Sequence, residues 1–549
     1  MKRVVIGLLA LSVSTALYAA TPQFDGKRMS QDVKELASDA YEGRGPATAG
    51  EEKTIAYLSQ QFQTAGLQPG GDLQDGKRLW TQAVPLRKAD IVGTPTLALD
   101  LKGKAQPLTQ GKEIAIRAAL DGSSEVDVSN APLVFVGYGV KAPERNWDDF
   151  KGVDLKGKIA VVLINDPDFE TGKGDFDGKG MTYYGRWTYK YEEGARQGAL
   201  GVLVVHETAP ASYGWATVAS SNTNTMFDVV RDQPASAHPK IEGWIQRDLA
   251  AQLFKQSGLD FDTLKKQAQS RDFKPVELKG EGLSAKYAVK TDVITSHNVV
   301  ARLEGSRQPD ETLVYSAHWD HIGVGKPDAQ GDTIFNGALD NASGTAALLE
   351  LARGFAAGPR PQRSVVFLAV TAEEKGLLGS EYYAAKPLYP LEKTVAVINM
   401  DGMSPNVPSR DFGIYGTAKL ELLDDLKAVA GQRGLRYTPD PKPEAGYFFR
   451  SDHFSFAKRG VPALSYSAGQ DWEVGGVAAG KAASDEYTAK RYHQQGDEWQ
   501  PDWTFAGAAR DLSILYTLGM QLADSKQWPN WSTDSEFRAT RDSSAAQRK

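Results

Sequence analysis

The chain has 549 residues, which ordinary domain sizes turn into about three to four units, and its 41% apolar and 24% charged content is that of a soluble globular protein. A formal net charge of −6 gives no electrostatic basis for nucleic acid as a partner. The complete absence of cysteine excludes disulfides, zinc–thiolate sites, thiol nucleophiles and a lipid anchor on an N-terminal Cys.

Met1-Lys2-Arg3 opens the chain, followed by an apolar run from Val4 to Leu11 and small residues ending in Ala19-Ala20. That pattern predicts a secretory signal over residues 1–20, with a periplasmic or secreted protein and no stable membrane span after cleavage. An uncleaved anchor is the alternative. Next, Val33, Leu36 and Ala37, then Ile55, Leu58, Phe62 and Ala65, fall at helical spacing on either side of Tyr41-Glu-Gly-Arg-Gly-Pro. Two helices joined by a Gly-rich loop are predicted.

From about 86 to 289 the rhythm changes to short β-rich runs, among them Pro132–Val140 and Lys158–Ile164, with a helix at Tyr189–Gly198. None of its titratable residues recur at metal-ligand spacing. This region reads as an inserted lobe, with residues 21–85 belonging to the same domain as 290–525. Beyond 290, apolar runs alternate with helical stretches: Asn298–Leu303, Thr312–Ala317, Ser364–Val370, Val395–Met400 and Val461–Tyr466 against helices near 342–357, 378–386, 418–433, 452–459 and 503–523. The prediction is an α/β fold, a mixed, largely parallel sheet flanked by helices. The polar stretch 526–549 lacks periodicity and is predicted to be a poorly ordered tail.

Ligands of open α/β sheets bind beyond the C-terminal ends of the strands. His318-Trp-Asp320-His321, Glu373-Glu374 and Asp401 all follow predicted strands directly. Asp340-Asn-Ala-Ser-Gly344 precedes a helix, and His493 lies in a late loop. Singly, each has an ordinary structural explanation: a hydrogen-bonded strand-end residue, or an acidic first helical turn for the glutamate pair. Together, two imidazoles and three carboxylates form the mixed nitrogen and oxygen environment that suits a pair of zinc ions. Adjacent glutamates point in different directions, so one can bind metal while the other faces an attacking water.

His318-x-Asp320, Asp340-Asn-Ala-Ser-Gly, Glu373-Glu374, Asp401 and His493 together resemble the motif series of the co-catalytic di-zinc aminopeptidases, metallopeptidase family twenty-eight. That family includes glutamate carboxypeptidase and the catalytically silent transferrin receptor. Leu36-Ala-Ser-Asp-x-x-Glu-Gly-Arg-Gly is similar to the family's N-terminal segment, and residues 130–206 resemble its protease-associated insertion. The resemblance implies two Zn2+ per chain: His318 and Asp401 on one, Glu374 and His493 on the other, with Asp340 bridging. It further implies Glu373 as general base, Asp320 orienting His318, a cis peptide after Asp340, and Tyr447 stabilising the oxyanion, although Tyr447 equally suits a packing role. Peptides would be hydrolysed at their N-termini by a water activated between the two zinc ions. Gln494 departs from the family, where Thr is commoner. His321 reads as a structural hydrogen-bonding residue ahead of a metal ligand. A carboxypeptidase or dipeptidase, a glutaminyl-cyclase-like zinc acyltransferase and a non-catalytic binding protein on this fold remain alternatives.

Overall fold

The structure is a computed structural model that describes residues 22–548. The expected signal segment, 1–20, lies outside the described residues. Helix α1 (Gly26–Leu36) starts at Asp25, whose carboxylate accepts from the Lys27 and Arg28 amides. Helix α2 (Ala49–Thr64) follows the Gly-rich loop. Strand β1 (Thr81–Leu101) then leaves for the inserted lobe, which holds β2 (Ile114–Ile116), β3 (Glu125–Phe135), β4 (Ile159–Leu163), α3 (Trp187–Arg196), β5 (Gly201–His206) and β6 (Ile241–Gln246). Strand β7 (Val276–Leu303) returns beside β1, paired antiparallel from Glu281↔Leu101 to Val299↔Thr81.

The C-terminal half continues through β8 (Gln308–His318), α4 (Ser343–Ala357), β9 (Arg363–Val370), α5 (Leu378–Ala385), β10 (Thr394–Met400), β11 (Asp411–Ile414), α6 (Glu421–Gln432), α7 (His453–Ala457), β12 (Ala463–Ala468), α8 (Gly476–Lys490), α9 (Ala506–Ala523) and α10 (Arg538–Ser543). Its sheet runs β11-β12-β10-β8-β9-β7, and β7 carries it on into the lobe as β3-β4-β5-β6-β2. Strands β12, β10, β8 and β9 are mutually parallel, while β7 and β11 are antiparallel to their neighbours. The central strands are apolar runs buried on both faces, as parallel strands covered by helices must be.

One face of this half packs Met29, Leu58, Leu348, Leu426 and Leu515 from five helices into a single core with the sheet. The other face packs Tyr383 and Phe456 against Val300, Val314, Val366 and Val397. The lobe has a separate core around Leu133, Ile159, Leu203, Ile245 and Phe254. Residues 24–67 therefore pack with the C-terminal half and leave the lobe to its own strands.

The stretch after Ser525 does not form the loose tail its composition predicts. Trp531 is 1% exposed, and its indole donates to Gly460 O at 3.0 Å, while Phe537 joins the same core. Arg541 is buried and donates to Thr394 O at 3.1 Å. Three anchors at irregular spacing hold the segment, which is why periodicity does not reveal it. Helix α8 likewise escapes the sequence pattern because it buries only Gly480.

Candidate metal centre

The strand ends of β8, β9 and β10 deliver His318, Glu373-Glu374 and Asp401 to one edge of the sheet. Asp340 arrives from the loop before α4, where the Asp340–Asn341 peptide is cis, as the resemblance implies. His493 comes from the turn after α8 with a positive φ of 56°. These residues converge. His318 Nε2 lies 3.3 Å from Asp340 Oδ1 and 3.3 Å from Asp401 Oδ1. His493 Nε2 lies 3.1 Å from Asp340 Oδ2 and 3.2 Å from Glu374 Oε2. The two oxygens of Asp340 thus face two different His–carboxylate pairs.

Asp320 is fully buried, and its carboxylate accepts the Glu373 amide at 3.1 Å and the Glu374 amide at 3.4 Å. His318 Nδ1 meets the Asp320 carbonyl at 3.1 Å, whereas the carboxylate is 3.8 Å away. Asp320 therefore holds His318 through its backbone and the glutamates through its side chain. His321 is fully buried with Nδ1 2.7 Å from Glu374 Oε1, but the angle is not that of a hydrogen bond, and both ring nitrogens and Oε1 lack one. His321, Asp340 and Glu374 are close enough together to hold an ion, as are His318, Asp340 and Asp401.

Three supports were not evident from the sequence. Arg44, 1% exposed, donates Nε to Trp319 O, Nη1 to Leu36 O and Asn336 O, and Nη2 to Gly337 O at 2.6–2.9 Å. It clamps the loop after His318 to the loop before Asp340. Gly43 beside it has φ 63°, and a Cβ there would lie 2.5 Å from Phe335 O. Asp497 accepts the Leu339 and Asp340 amides at 3.0 Å. Asn341 bonds Met400 O at 3.0 Å and the Gly402 amide at 2.9 Å, tying the Asp340 loop to Asp401.

Among the described residues, Asp340, Glu373, Glu374 and Asp401 form no ion pair with Lys or Arg. Burial, then repulsion from Asp401, Glu374 and Asp452, raises the Glu373 carboxyl well above its usual range, although His318 opposes this. Burial disfavours the charged His318 ring, yet the surrounding carboxylates, Glu373 and Asp401 foremost, hold its pKa well up. Crowded carboxylates, imidazoles without lysine or arginine partners and orphaned buried His321 nitrogens fit divalent cations, and the mixed donor set suits zinc. The centre opens into a cleft of about 2160 Å³ that the inserted lobe also lines. Tyr447 is half-buried on its wall, with its ring 5.0 Å from the Arg450 guanidinium.

Residues 298–517 match Peptidase family M28. A probable zinc metalloprotease of Pyrenophora teres f. teres (strain 0-1) is 42% identical over 103 residues, 19% of this chain and 22% of that protein. The aminopeptidase NAALADL1 of Mus musculus is 36% identical over 118 residues, 20% of this chain and 14% of that protein. The chain therefore spans about a fifth or less of the length of these curated relatives. An aminopeptidase structure from Aneurinibacillus sp. strain AM-1 aligns over 92% of this chain and 96% of its own, at 21% identity and a TM-score of 0.49. The segment that carries every residue of the candidate centre lies within residues 298–517, the region that matches Peptidase family M28.

Proposed function

We propose that the protein is an exported two-zinc aminopeptidase, periplasmic or secreted, that removes N-terminal residues from peptides, with residues 86–289 as a protease-associated insertion. The observation that carries this reading is Asp340, whose Oδ1 and Oδ2 face separate His–carboxylate pairs. His318 and Asp401 would hold one Zn2+ and Glu374 and His493 the other, with Asp340 shared. Bound there, the zinc pair supplies Lewis-acid polarisation of the scissile carbonyl and lowers the pKa of the attacking water.

The chain's own residues do the rest. Glu373 faces the cleft and, among the described residues, pairs with no Lys or Arg, so it takes the proton of the attacking water and returns it to the leaving amine. Asp320 fixes the backbone of both glutamates, which lets neighbouring carboxylates serve different roles. The His318 Nδ1 contact with the Asp320 carbonyl leaves Nε2 for metal. Tyr447 on the cleft wall donates its hydroxyl to the developing oxyanion. The signal pattern in residues 1–20 supports export, and no helix among the described residues is long and apolar enough to cross a membrane.

The test is hydrolysis of free and N-acetylated peptides by purified protein, with and without chelator. Cleavage of the free peptides alone, abolished by chelator and restored by zinc, is the expected result. Cleavage of the blocked peptides, or indifference to chelator, would overturn the reading.

A further inference from the structure

The two imidazoles of the metal centre are held very differently. His318 ends the buried strand β8, and its side chain is 1% exposed. His493 comes from the turn after α8, and its side chain is 38% exposed. Helix α8 itself lines the cleft and buries only Gly480, where a Cβ would lie 2.1 Å from Gln470 O. Apolar burial therefore contributes little to placing the segment that delivers His493. Its position has to come from a few directed contacts.

Tyr487, in the last turn of α8, supplies several of them at once. It is half-buried, and its hydroxyl donates to Asp497 Oδ2 at 3.2 Å. The same oxygen accepts the Asp340 amide at 3.0 Å, while Asp497 Oδ1 accepts the Leu339 amide at 3.0 Å. Asp497 is fully buried and, among the described residues, forms no ion pair with Lys or Arg, so its carboxylate depends on these donors. Burial and the neighbouring Asp497 and Asp340 carboxylates raise the Tyr487 phenol well above its ordinary pKa, which keeps the hydroxyl a donor. Towards the turn, the Tyr487 carbonyl accepts the Arg491 and Tyr492 amides, each at 2.9 Å. The Tyr487 ring lies 6.1 Å from that of Tyr492, which stacks on the His493 imidazole at 3.9 Å with 24° between the planes. One residue thus joins the loop of Asp340 to the turn of His493, whose Nε2 lies 3.1 Å from Asp340 Oδ2.

We propose that Tyr487 is a positioning residue for the zinc ion assigned to Glu374 and His493. It sets the spacing between His493 and the Asp340 oxygen facing it, acting through Asp497 on one side and Tyr492 on the other. The proposal rests on the two-zinc reading of the centre. The other pair, His318 and Asp401, is held independently, by the Asp320 carbonyl and by Asn341 at Met400 and Gly402. Loss of the Tyr487 hydroxyl therefore loosens the His493 side of the centre and leaves the His318 side in place. Lys481, Ser484 and Thr488 of α8 also line the cleft, so the same link ties this wall of the cleft to one ion and not the other.

The experiment measures bound zinc against buffered free zinc for the full-length wild type, Tyr487→Phe, Tyr487→Leu, Asp497→Asn and the Tyr487→Phe, Asp497→Asn double variant. Wild type should take up two equivalents. Tyr487→Phe should need about 10- to 100-fold more free zinc for its second equivalent, the range of one hydrogen bond to a charged group, with the first unchanged. Tyr487→Leu, which also loses the ring, should need more still. The double variant should need little more than Asp497→Asn alone, because both changes break one link. At excess zinc the kcat of Tyr487→Phe on leucine p-nitroanilide should recover, since placement of a ligand and not the chemistry has been lost. An unchanged second equivalent in Tyr487→Phe, additive effects in the double variant, or a kcat that zinc does not restore overturns the proposal. So does a parallel loss of both equivalents with a lowered thermal midpoint, which is what a merely structural tyrosine would give. Wild type that binds one equivalent refutes the two-zinc reading and the proposal with it. Wild type that binds two and cleaves no peptide refutes the peptidase reading alone, and the zinc comparison still decides the role of Tyr487.

Discussion

Arg44→Lys retains a buried positive charge but replaces a planar fork by a single ammonium. In the structure the guanidinium satisfies four carbonyls, those of Leu36, Trp319, Asn336 and Gly337. One ammonium nitrogen, with three donors, leaves at least one of these without a partner and strains the others. At roughly 1–3 kcal/mol for each buried group left unsatisfied, one or two lost bonds cost about 2–4 kcal/mol. For a domain of this size that is roughly 5–15 °C in the midpoint of thermal unfolding. The clamp joins the loop after His318 to the loop before Asp340, so the same change should loosen both proposed ligands and lower zinc affinity by about 10- to 100-fold. Differential scanning calorimetry and zinc competition with a chromophoric chelator measure the two effects. A variant that melts with wild type and keeps its zinc would show that the Gly-Arg-Gly loop is not what organises the centre.

Three other changes probe separate links. Glu373→Gln should keep normal zinc content and lose about 10²- to 10⁴-fold in kcat, whereas Glu374→Gln should lose a zinc ion and become dependent on added metal; identical behaviour of the two would refute their division of labour. In the lobe, His238 lies 2.8 Å from Glu242 and 3.1 Å from Asp228, carboxylates also held by Arg117 and Arg231. Burial opposes its charge, but the carboxylates prevail and push its pKa up to about 9. Because the folded value lies above the unfolded one, the stabilisation is complete below pH 6.5 and lost as pH rises through 9. That is about 3 kcal/mol of lobe stability at 1.36 kcal/mol per unit, which His238→Gln should flatten in urea unfolding followed against pH; a parallel pH profile in the variant would contradict the ion cluster. Trp531→Ala should destabilise the peptidase half by about 3–5 kcal/mol, and a neutral result in the same assay would mean that the C-terminal segment is not part of the core.

The alternation of apolar runs and helices after residue 290 was legible because the central strands are hydrophobic throughout and the metal-binding residue types sit at their ends. The Asp340-Asn-Ala-Ser-Gly and Glu373-Glu374 spacings marked the centre for the same reason: both are local. What was hidden is non-local. Arg44 is about 275 residues from the Trp319 carbonyl it holds, and Asp497 is 157 residues from the Asp340 amide. Only the folded chain shows that the Gly-Arg-Gly loop braces the ligand loops. The continuity of one sheet through the long β7 strand was equally invisible, since a strand serving two cores carries no boundary in its own pattern. The C-terminal segment misled because three well-spaced anchors, Trp531, Phe537 and Arg541, hold an otherwise polar stretch.

The central claim is that Asp340 is shared by two metal ions, and zinc stoichiometry tests it most directly. Protein purified without chelator and analysed by inductively coupled plasma mass spectrometry should contain two zinc equivalents per chain, and Asp340→Asn should retain fewer than one. A consistent single equivalent in wild type, or an Asp340→Asn variant that still binds two, would contradict the account.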